Sequence, residues 1–272
     1  DDTQLRKLED RLGALRSLQE RKDAVLRIIE EQGQLTDEIR EALDNAMTLA
    51  RVEDIYRPFK QKKKTRASVA KEKGLEPLAE LILAQKKDDP LAAAAEYVDP
   101  EKGVDSAEDA LQGAMDIIAE KISDDPANRE MLRERMRFDG QISVRAAKEE
   151  DSVYSQYYEF DAPISRMKGY QVLAINRGEK EGFLKTAIDM DDEKSKEKLK
   201  KSLKLKASPS RKYIEEAADD AYSRLIEPAL EREARSTMTE SACEGAIDNF
   251  ALNLKPLLLQ PPVKGKVTMG LD

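Results

Sequence analysis

Residues 52–80, VEDIYRPFKQKKKTRASVAKEKGLEPLAE, restrict the fold of this chain more than any other stretch. Pro58 cannot sit in a helix interior, because it lacks an N–H and its ring strikes the preceding turn. It also biases Arg57 toward an extended backbone. Tyr56, Pro58 and Phe59 therefore form an elbow whose rings pack on neighbouring helices. Lys60, Lys62, Lys63, Lys64 and Arg66 follow as an exposed basic loop, with four Lys/Arg in the five positions 62–66. Thr65 can cap a helix that Gly74 ends. Leu75 opens a second helix with Leu78, Leu81 and Ile82 on one face. Residues 65–86 thus read as a helix-turn-helix-like element. A helix pair of this size either packs on a larger body or enters a DNA groove, and packing is the preferred reading.

On both sides of this block the apolar spacing is helical. Leu5, Leu8, Leu12 and Leu15 are spaced three, four, three, and Val25, Ile28 and Ile29 extend the face. One long helix over residues 3–32 is expected, with Gly33 as its C-cap. Thr36 caps the next helix, which has Asp37 and Glu38 at its positive end and a buried stripe of Ile39, Leu43, Met47 and Ala50. Ser106 and Asp109 resemble a capping box opening a helix that buries Leu111, Met115, Ile118 and Ile122. Pro126 suits the first turn of a helix reaching Phe138. Residues 141–160 give no clear period. Their aromatics, Tyr154, Tyr157, Tyr158 and Phe160, read as a packing patch between subdomains in preference to a base-stacking surface. Helix is expected over 165–177, a short strand at Leu184, Thr186 and Ile188, and either a charged helix or a mobile segment over 193–206. Ser208-Pro209 marks a helix start, Pro228 a kink or end, and Thr239 the cap of a further helix carrying Cys243, Ile247, Phe250 and Leu254. Pro261-Pro262 ends the helical region, and Val267, Met269 and Leu271 alternate as a strand.

Composition removes several function classes. The chain has 272 residues and no His, so it lacks the usual near-neutral acid/base and the commonest metal ligand. Its one cysteine, Cys243, excludes an internal disulfide and a Cys-rich zinc site, and is expected to pack as a small hydrophobe. No cofactor or metal is expected. No apolar run approaches the ~20 residues of a membrane-spanning helix, and a cytoplasmic setting is expected. The chain opens with Asp1 and not Met, and is expected to be a piece of a longer protein. A net charge of −8 argues against uniform affinity for nucleic acid. The charge is uneven, however. Residues 57–73 carry eight Lys/Arg against Glu72 alone, and residues 194–206 carry seven Lys against Glu197 alone. The loop cations either contact phosphates without reading sequence, or pair with the acidic body. The second island reads as a solvated face.

Two further blocks complete the pattern. LAINRGEKEGFL occupies residues 173–184 and GKVTMGLD residues 265–272. In Arg177-Gly178-Glu179-Lys180-Glu181-Gly182 the glycines permit a turn between a helix and a strand. The run lacks the Gly-Lys-Ser/Thr ending of a P-loop. Arg177 and Lys180 are candidate nucleic-acid contacts, and pairing with Glu179 or Glu181 is the preferred alternative. Taken in order, these three blocks resemble the bacterial transcription accessory protein family, Tex, over essentially the whole chain. That family also resembles the eukaryotic elongation factor and histone chaperone Spt-six.

The resemblance implies a mainly α fold. It would be an elongated, irregular helical array with a helix-turn-helix-like element and a few short strands, ending at the first strand of a YqgF/RNase H-like domain. It implies a helical region over 1–140, a central helical region over 141–262 and the start of a YqgF-like domain at 263–272. Asp272 matches the first acidic position of such a domain, but two-metal chemistry needs several convergent carboxylates, and the family's domain is generally degenerate. No enzymatic activity is expected. What the resemblance implies instead is a transcription accessory factor that associates with RNA polymerase and binds RNA or DNA mainly through domains outside this chain. This part would act mainly as scaffold. A protein-docking module, or a remnant of an RNase H-like nuclease, is the alternative.

Overall fold

The computed structural model describes residues 2–60, 64–148, 150–261, 265–267 and 269. In chain order the elements are α1 (Asp2–Glu31), α2 (Asp37–Asp44), α3 (Leu49–Tyr56), α4 (Arg66–Glu72), α5 (Glu76–Leu83), α6 (Pro90–Ala94), α7 (Ala107–Asp124) and α8 (Pro126–Asp139). Strands β1 (Gln141–Ala146) and β2 (Glu159–Pro163) precede α9 (Gly169–Lys180) and β3 (Leu184–Asp189). Helices α10 (Asp192–Ser202), α11 (Arg211–Asp220) and α12 (Glu227–Leu258) follow. The chain is mainly α, with one small sheet. It divides into two compact units, residues 1–135 with 192–229, and residues 136–191 with 230–272.

In the first unit, Val25, Ile29, Leu43, Ala46, Val52 and Ile55 form one buried cluster, with Tyr56 and Phe59 packed against it. The elbow therefore works as its sequence suggests. The helix from Thr36 does not. It stops at Asp44, and Thr48 caps a new one by accepting the Arg51 N–H at 3.2 Å. Met47 falls in the break and is 83% exposed, not buried. Asn45 and Thr48 bond better to backbone at a cap than inside a helix, and two caps replace one long stripe. Arg57 also departs from expectation: it is helical, at φ −52° and ψ −43°, with Nε donating to Asp124 Oδ1 at 3.0 Å. That bond offsets the bias imposed by Pro58.

Behind the elbow lies a polar core. The Asp54 carboxylate is 4% exposed, accepting from Arg129 Nε at 2.8 Å and Arg133 Nη2 at 2.7 Å. Arg51 Nη1 donates to the Pro126 carbonyl at 3.0 Å. These bonds tie α3 to α8. Charges buried this deeply need both partners, because losing one leaves the other desolvated and unpaired.

Helices α4 and α5 form the expected pair around Gly74, whose φ of +82° suits glycine. Thr65 and Ser68 make a reciprocal capping box, at 3.0 and 2.8 Å. The pair packs on α7, burying Leu75, Leu78, Ala79 and Ile82 against a face that includes Ala110, Ala114 and Ile117. A Cβ on Gly113 would lie 2.4 Å from Leu75 Cδ1, so only glycine admits this approach as it stands.

The segment before α12 absorbs Pro228 by widening into a π-turn over Ala221–Ile226, and the chain stays helical. The ring's missing N–H and its clash one turn back are accommodated there instead of breaking the helix. The helix expected to start at Ser208-Pro209 begins at Arg211, with Ser210 at its cap position.

The second unit is built on an antiparallel sheet of order β2-β1-β3. Val144 pairs with Phe160 on one side and Thr186 on the other. Strands β1 and β2 lie where the sequence gave no period. Ile142, Val144, Leu184 and Ile188 are buried, as are Val172 and Ile175 of α9. Thr239 caps nothing: it lies inside α12, donating to the Arg235 carbonyl and accepting from Asn176 Nδ2, each at 2.8 Å. Pro256 sits inside the same helix, which ends at Leu258. Cys243 is exposed, and so are Ile247 (67%) and Phe250 (66%), against the expectation of a buried face. Val267 and Met269 carry no strand, while Leu271 and Asp272 lie outside the described residues.

Candidate nucleic-acid interface

The predicted site residues divide between the two units. Lys60, Lys64 and Arg66 belong to the first, Arg177 and Lys180 to the second. Lys62 and Lys63 lie outside the described residues.

Lys60 closes the turn Arg57–Phe59, and Arg66 is the first residue of α4, so the elbow and the Thr65 cap fix both ends of the basic loop. Lys60, Lys64 and Arg66 are exposed; Lys60 and Lys64 have no carboxylate partner among the described residues, while Arg66 acts on the Asp116 carboxylate. Two troughs flank α4. One, of about 510 Å³, is lined by Pro58, Lys60, Ser68, Lys71, Lys121 and Asp125, among others. The other, of about 500 Å³, is lined by Lys64, Arg66, Lys73, Asp105, Gln112 and Asp116, among others.

The acids of the first trough have local partners. Asp124 accepts from Arg57, and Asp125 Oδ1 takes the Ala127 and Asn128 N–H groups at 2.7 and 3.2 Å. Glu120 accepts the Thr65 hydroxyl at 3.1 Å. In the second trough, burial pushes the Asp116 carboxyl above the usual carboxylate range, against the pull of Arg224 and Arg66. Lys73 Nζ is held by the Gly103 carbonyl at 2.6 Å. Lys121 escapes a linear reading because it reaches the trough from α7, far along the chain from the basic loop.

The helix pair itself offers little to a DNA groove. Helix α5, the second of the pair, contains Glu76 and Glu80 and no Lys or Arg. Phosphate would be repelled by that helix.

In the second unit, Gly178 faces Leu184, whose Cδ1 would stand 2.6 Å from an added Cβ, and Gly182 turns the chain at φ +76°. Both glycines of the Arg-Gly-Glu-Lys-Glu-Gly run thus serve the helix-to-strand junction. Glu179 is taken by the Arg235 guanidinium, through Nη1 at 3.1 Å and through Nη2. Arg177 and Lys180 are exposed and have no carboxylate partner among the described residues, so the expected pairing with Glu179 or Glu181 is not made.

Tyr154 and Tyr157 are buried, and Tyr158 donates to the Glu150 carbonyl at 2.5 Å. Tyr157 meets Phe160 edge-on at 5.5 Å between centroids. These rings pack within one unit. On α10, Lys200 pairs with Asp219 at 2.7 Å and Lys201 with Glu197 at 2.6 Å, as suits a solvated, ion-paired face. Among the described residues no group of three His, Cys, Asp or Glu could hold a metal ion, and no helix is long and apolar enough to cross a membrane.

The sequence is similar to those of several bacterial proteins. The chain is 45% identical to the uncharacterized protein YdcI of Bacillus subtilis over 278 residues, covering all of this chain and 39% of that protein. It is 36% identical to protein YhgF of Escherichia coli, covering all of this chain and 37% of the relative. The transcriptional accessory protein Tex of Neisseria gonorrhoeae is also 36% identical, with 37% of its length covered. The chain therefore spans less than two-fifths of these relatives. A family model described as Tex central region-like matches residues 85–250, and with it the chain belongs to the Tex family.

Proposed function

We propose that this chain is the scaffold part of a transcription accessory factor, and that it adds a secondary, sequence-neutral contact to nucleic acid through its basic loop. The observation that carries this reading is the exposure of Lys60 and Lys64 without carboxylate partners among the described residues, with the exposed Arg66 beside them. Lysine side chains held this way suit phosphate and carry no base readout. The family relation supports the transcriptional setting, with RNA polymerase as protein partner and the cytoplasm as location. The role is non-enzymatic.

Fluorescence anisotropy with labelled single- and double-stranded DNA and RNA across a salt series tests this. Contact with ~3–4 duplex phosphates gives a log–log salt slope of roughly −3, which a Lys62/Lys63/Lys64→Ala variant flattens. No binding at low salt would sink the reading.

A second reading, a protein-docking module, is favoured by a different observation. Leu5 and Leu8 of α1 are 63% and 66% exposed, and Leu257 and Leu258 of α12 are 60% and 74% exposed. Bare apolar stripes of this kind mark surfaces that another protein covers.

A further inference from the structure

We infer that β2 is a docking edge for an extended peptide of a partner protein, independently of the nucleic-acid contact. The peptide adds as a fourth strand, with basic residues flanking an apolar one. The bonding phase of the sheet comes first. The Ala146 N–H donates to the Tyr158 carbonyl at 3.1 Å, and the Ile164 N–H to the Gly140 carbonyl at 2.9 Å. Even-numbered residues of β2 therefore bond to β1, and Glu159 and Asp161 turn their N–H and C=O groups away from it. Both residues are exposed, and those backbone groups have no partner among the described residues. The opposite edge is closed. On β3 the outward Ile188 N–H donates to Glu231 Oε1 at 3.2 Å, and the outward Thr186 carbonyl accepts from Arg235 Nη1 at 3.4 Å. Helix α12 thus covers one edge of the sheet, while the other stays available to a strand.

Side chains select the strand. Phe160 and Ala162 pair with the buried Val144 and Ile142 and are themselves half-buried, so an added strand needs an apolar residue beside them. Glu159 and Asp161 lie on the other face. Arg145 Nη2 donates to both Asp161 carboxylate oxygens, at 2.9 and 2.8 Å, and Glu159 draws on the same guanidinium. Lys185, the next cation on that face, lies two strands away on β3. Two carboxylates share one cation, so that face of β2 is short of positive charge. A second copy of this chain is disfavoured there, since antiparallel pairing of β2 with itself about Phe160 sets Glu159 opposite Asp161. A strand with a basic residue at each of those positions and an apolar residue between them satisfies both faces. Pro163 lacks an N–H and ends the edge, so the recognised segment is short.

The test uses the intact 272-residue chain and labelled peptides. One is Lys-Val-Lys-Val-Lys-Val. The second is its block version, Lys-Lys-Lys-Val-Val-Val, and the third is Glu-Val-Glu-Val-Glu-Val. Fluorescence anisotropy reads affinity, and NMR reads amide exchange residue by residue. The alternating basic peptide should bind about five-fold tighter than the block version, and the acidic peptide weakest of all. At about ten times its Kd, the alternating peptide should slow exchange of the Glu159 and Asp161 amides about ten-fold. Asp161→Pro deletes an outward N–H and spares every bond to β1. It should weaken binding about five-fold beyond Asp161→Ala, which loses the same carboxylate. Glu159→Lys should weaken the basic peptide about five-fold and strengthen the acidic one. Circular dichroism checks each fold, and if Asp161→Pro does not fold, the exchange measurement and Glu159→Lys decide. Equal binding of the alternating and block peptides overturns the strand pairing. So does unchanged exchange at Glu159 and Asp161 with peptide bound, or an Asp161→Pro variant that matches Asp161→Ala. Indifference to Glu159→Lys overturns the basic assignment. No binding of the alternating peptide at ~1 mM overturns the inference entirely and leaves the nucleic-acid reading untouched.

Discussion

At the start of α4, Lys60, Lys64 and Arg66 line two concave surfaces, and the acids of the first have local partners. At the end of α9, Arg177 and Lys180 stand beside glycines that are consumed by packing: Gly178 lets Leu184 approach and Gly182 turns the chain. The second segment is the more recognisable in sequence, because a close helix–strand contact tolerates few residue types. The first is less distinctive, because a phosphate contact asks only for charge and exposure. Recognisable wording here marks a constraint on folding, whereas the proposed ligand contacts lie in the plainer stretch.

The largest effect that would break this contrast lies behind the elbow. Asp54→Ala removes the carboxylate shared by Arg129 and Arg133, leaving buried guanidinium charge. A loss of about 3–5 kcal/mol is expected in denaturant unfolding. An effect within error would mean that the elbow, and so the loop's position, does not depend on the polar core. Next comes Gly178→Val, which drives a branched side chain into Leu184. Overpacking of this kind costs about 1–3 kcal/mol, read as a lowered Tm with nucleic-acid binding by the loop unchanged. A variant as stable as wild type would undo the packing account of the signature.

Thr65→Ala sharpens the other side of the comparison. Removing the cap of α4 should cost about 1 kcal/mol. It also frees the start of the helix that carries Arg66, so binding should weaken together with stability. The smallest effect is expected for Arg177→Ala with Lys180→Ala, which should alter stability by less than about 0.5 kcal/mol because both side chains are exposed and unpaired among the described residues. A larger drop in Tm would show that these cations hold the junction after all.

Much of the fold was legible in the sequence because its helices carry their own signals. Thr36, Thr65 and Ser106 each cap where expected, with the side-chain oxygen accepting the N–H three residues on. Gly74 turns at positive φ, and β3 follows the alternation of Leu184, Thr186 and Ile188. What escaped depends on tertiary partners. Strand β1 alternates only weakly, and its inward face is defined by α9 and β3, far along the chain. Thr239 looked like a cap because nothing in the sequence reveals that Asn176 waits for its hydroxyl. Cys243 and Phe250 looked buried because an apolar stripe announces itself whether or not this chain supplies the opposing surface. The basic loop of the candidate site was legible as a charge run. Lys121 was not, because no local pattern links α7 to a loop so distant in sequence.

Helix α1 has two different halves. From residue 18 onward Leu18, Val25, Leu26 and Ile29 belong to or pack on the buried cluster, whereas every residue from 4 to 17 is exposed. A stretch of that length without tertiary contacts is near the limit of helix–coil stability in water. Its amides should therefore exchange with solvent much faster than those one or two turns later in the same helix. Any surface that covers Leu5, Leu8, Leu12 and Leu15 would report itself first as slowed exchange over those turns.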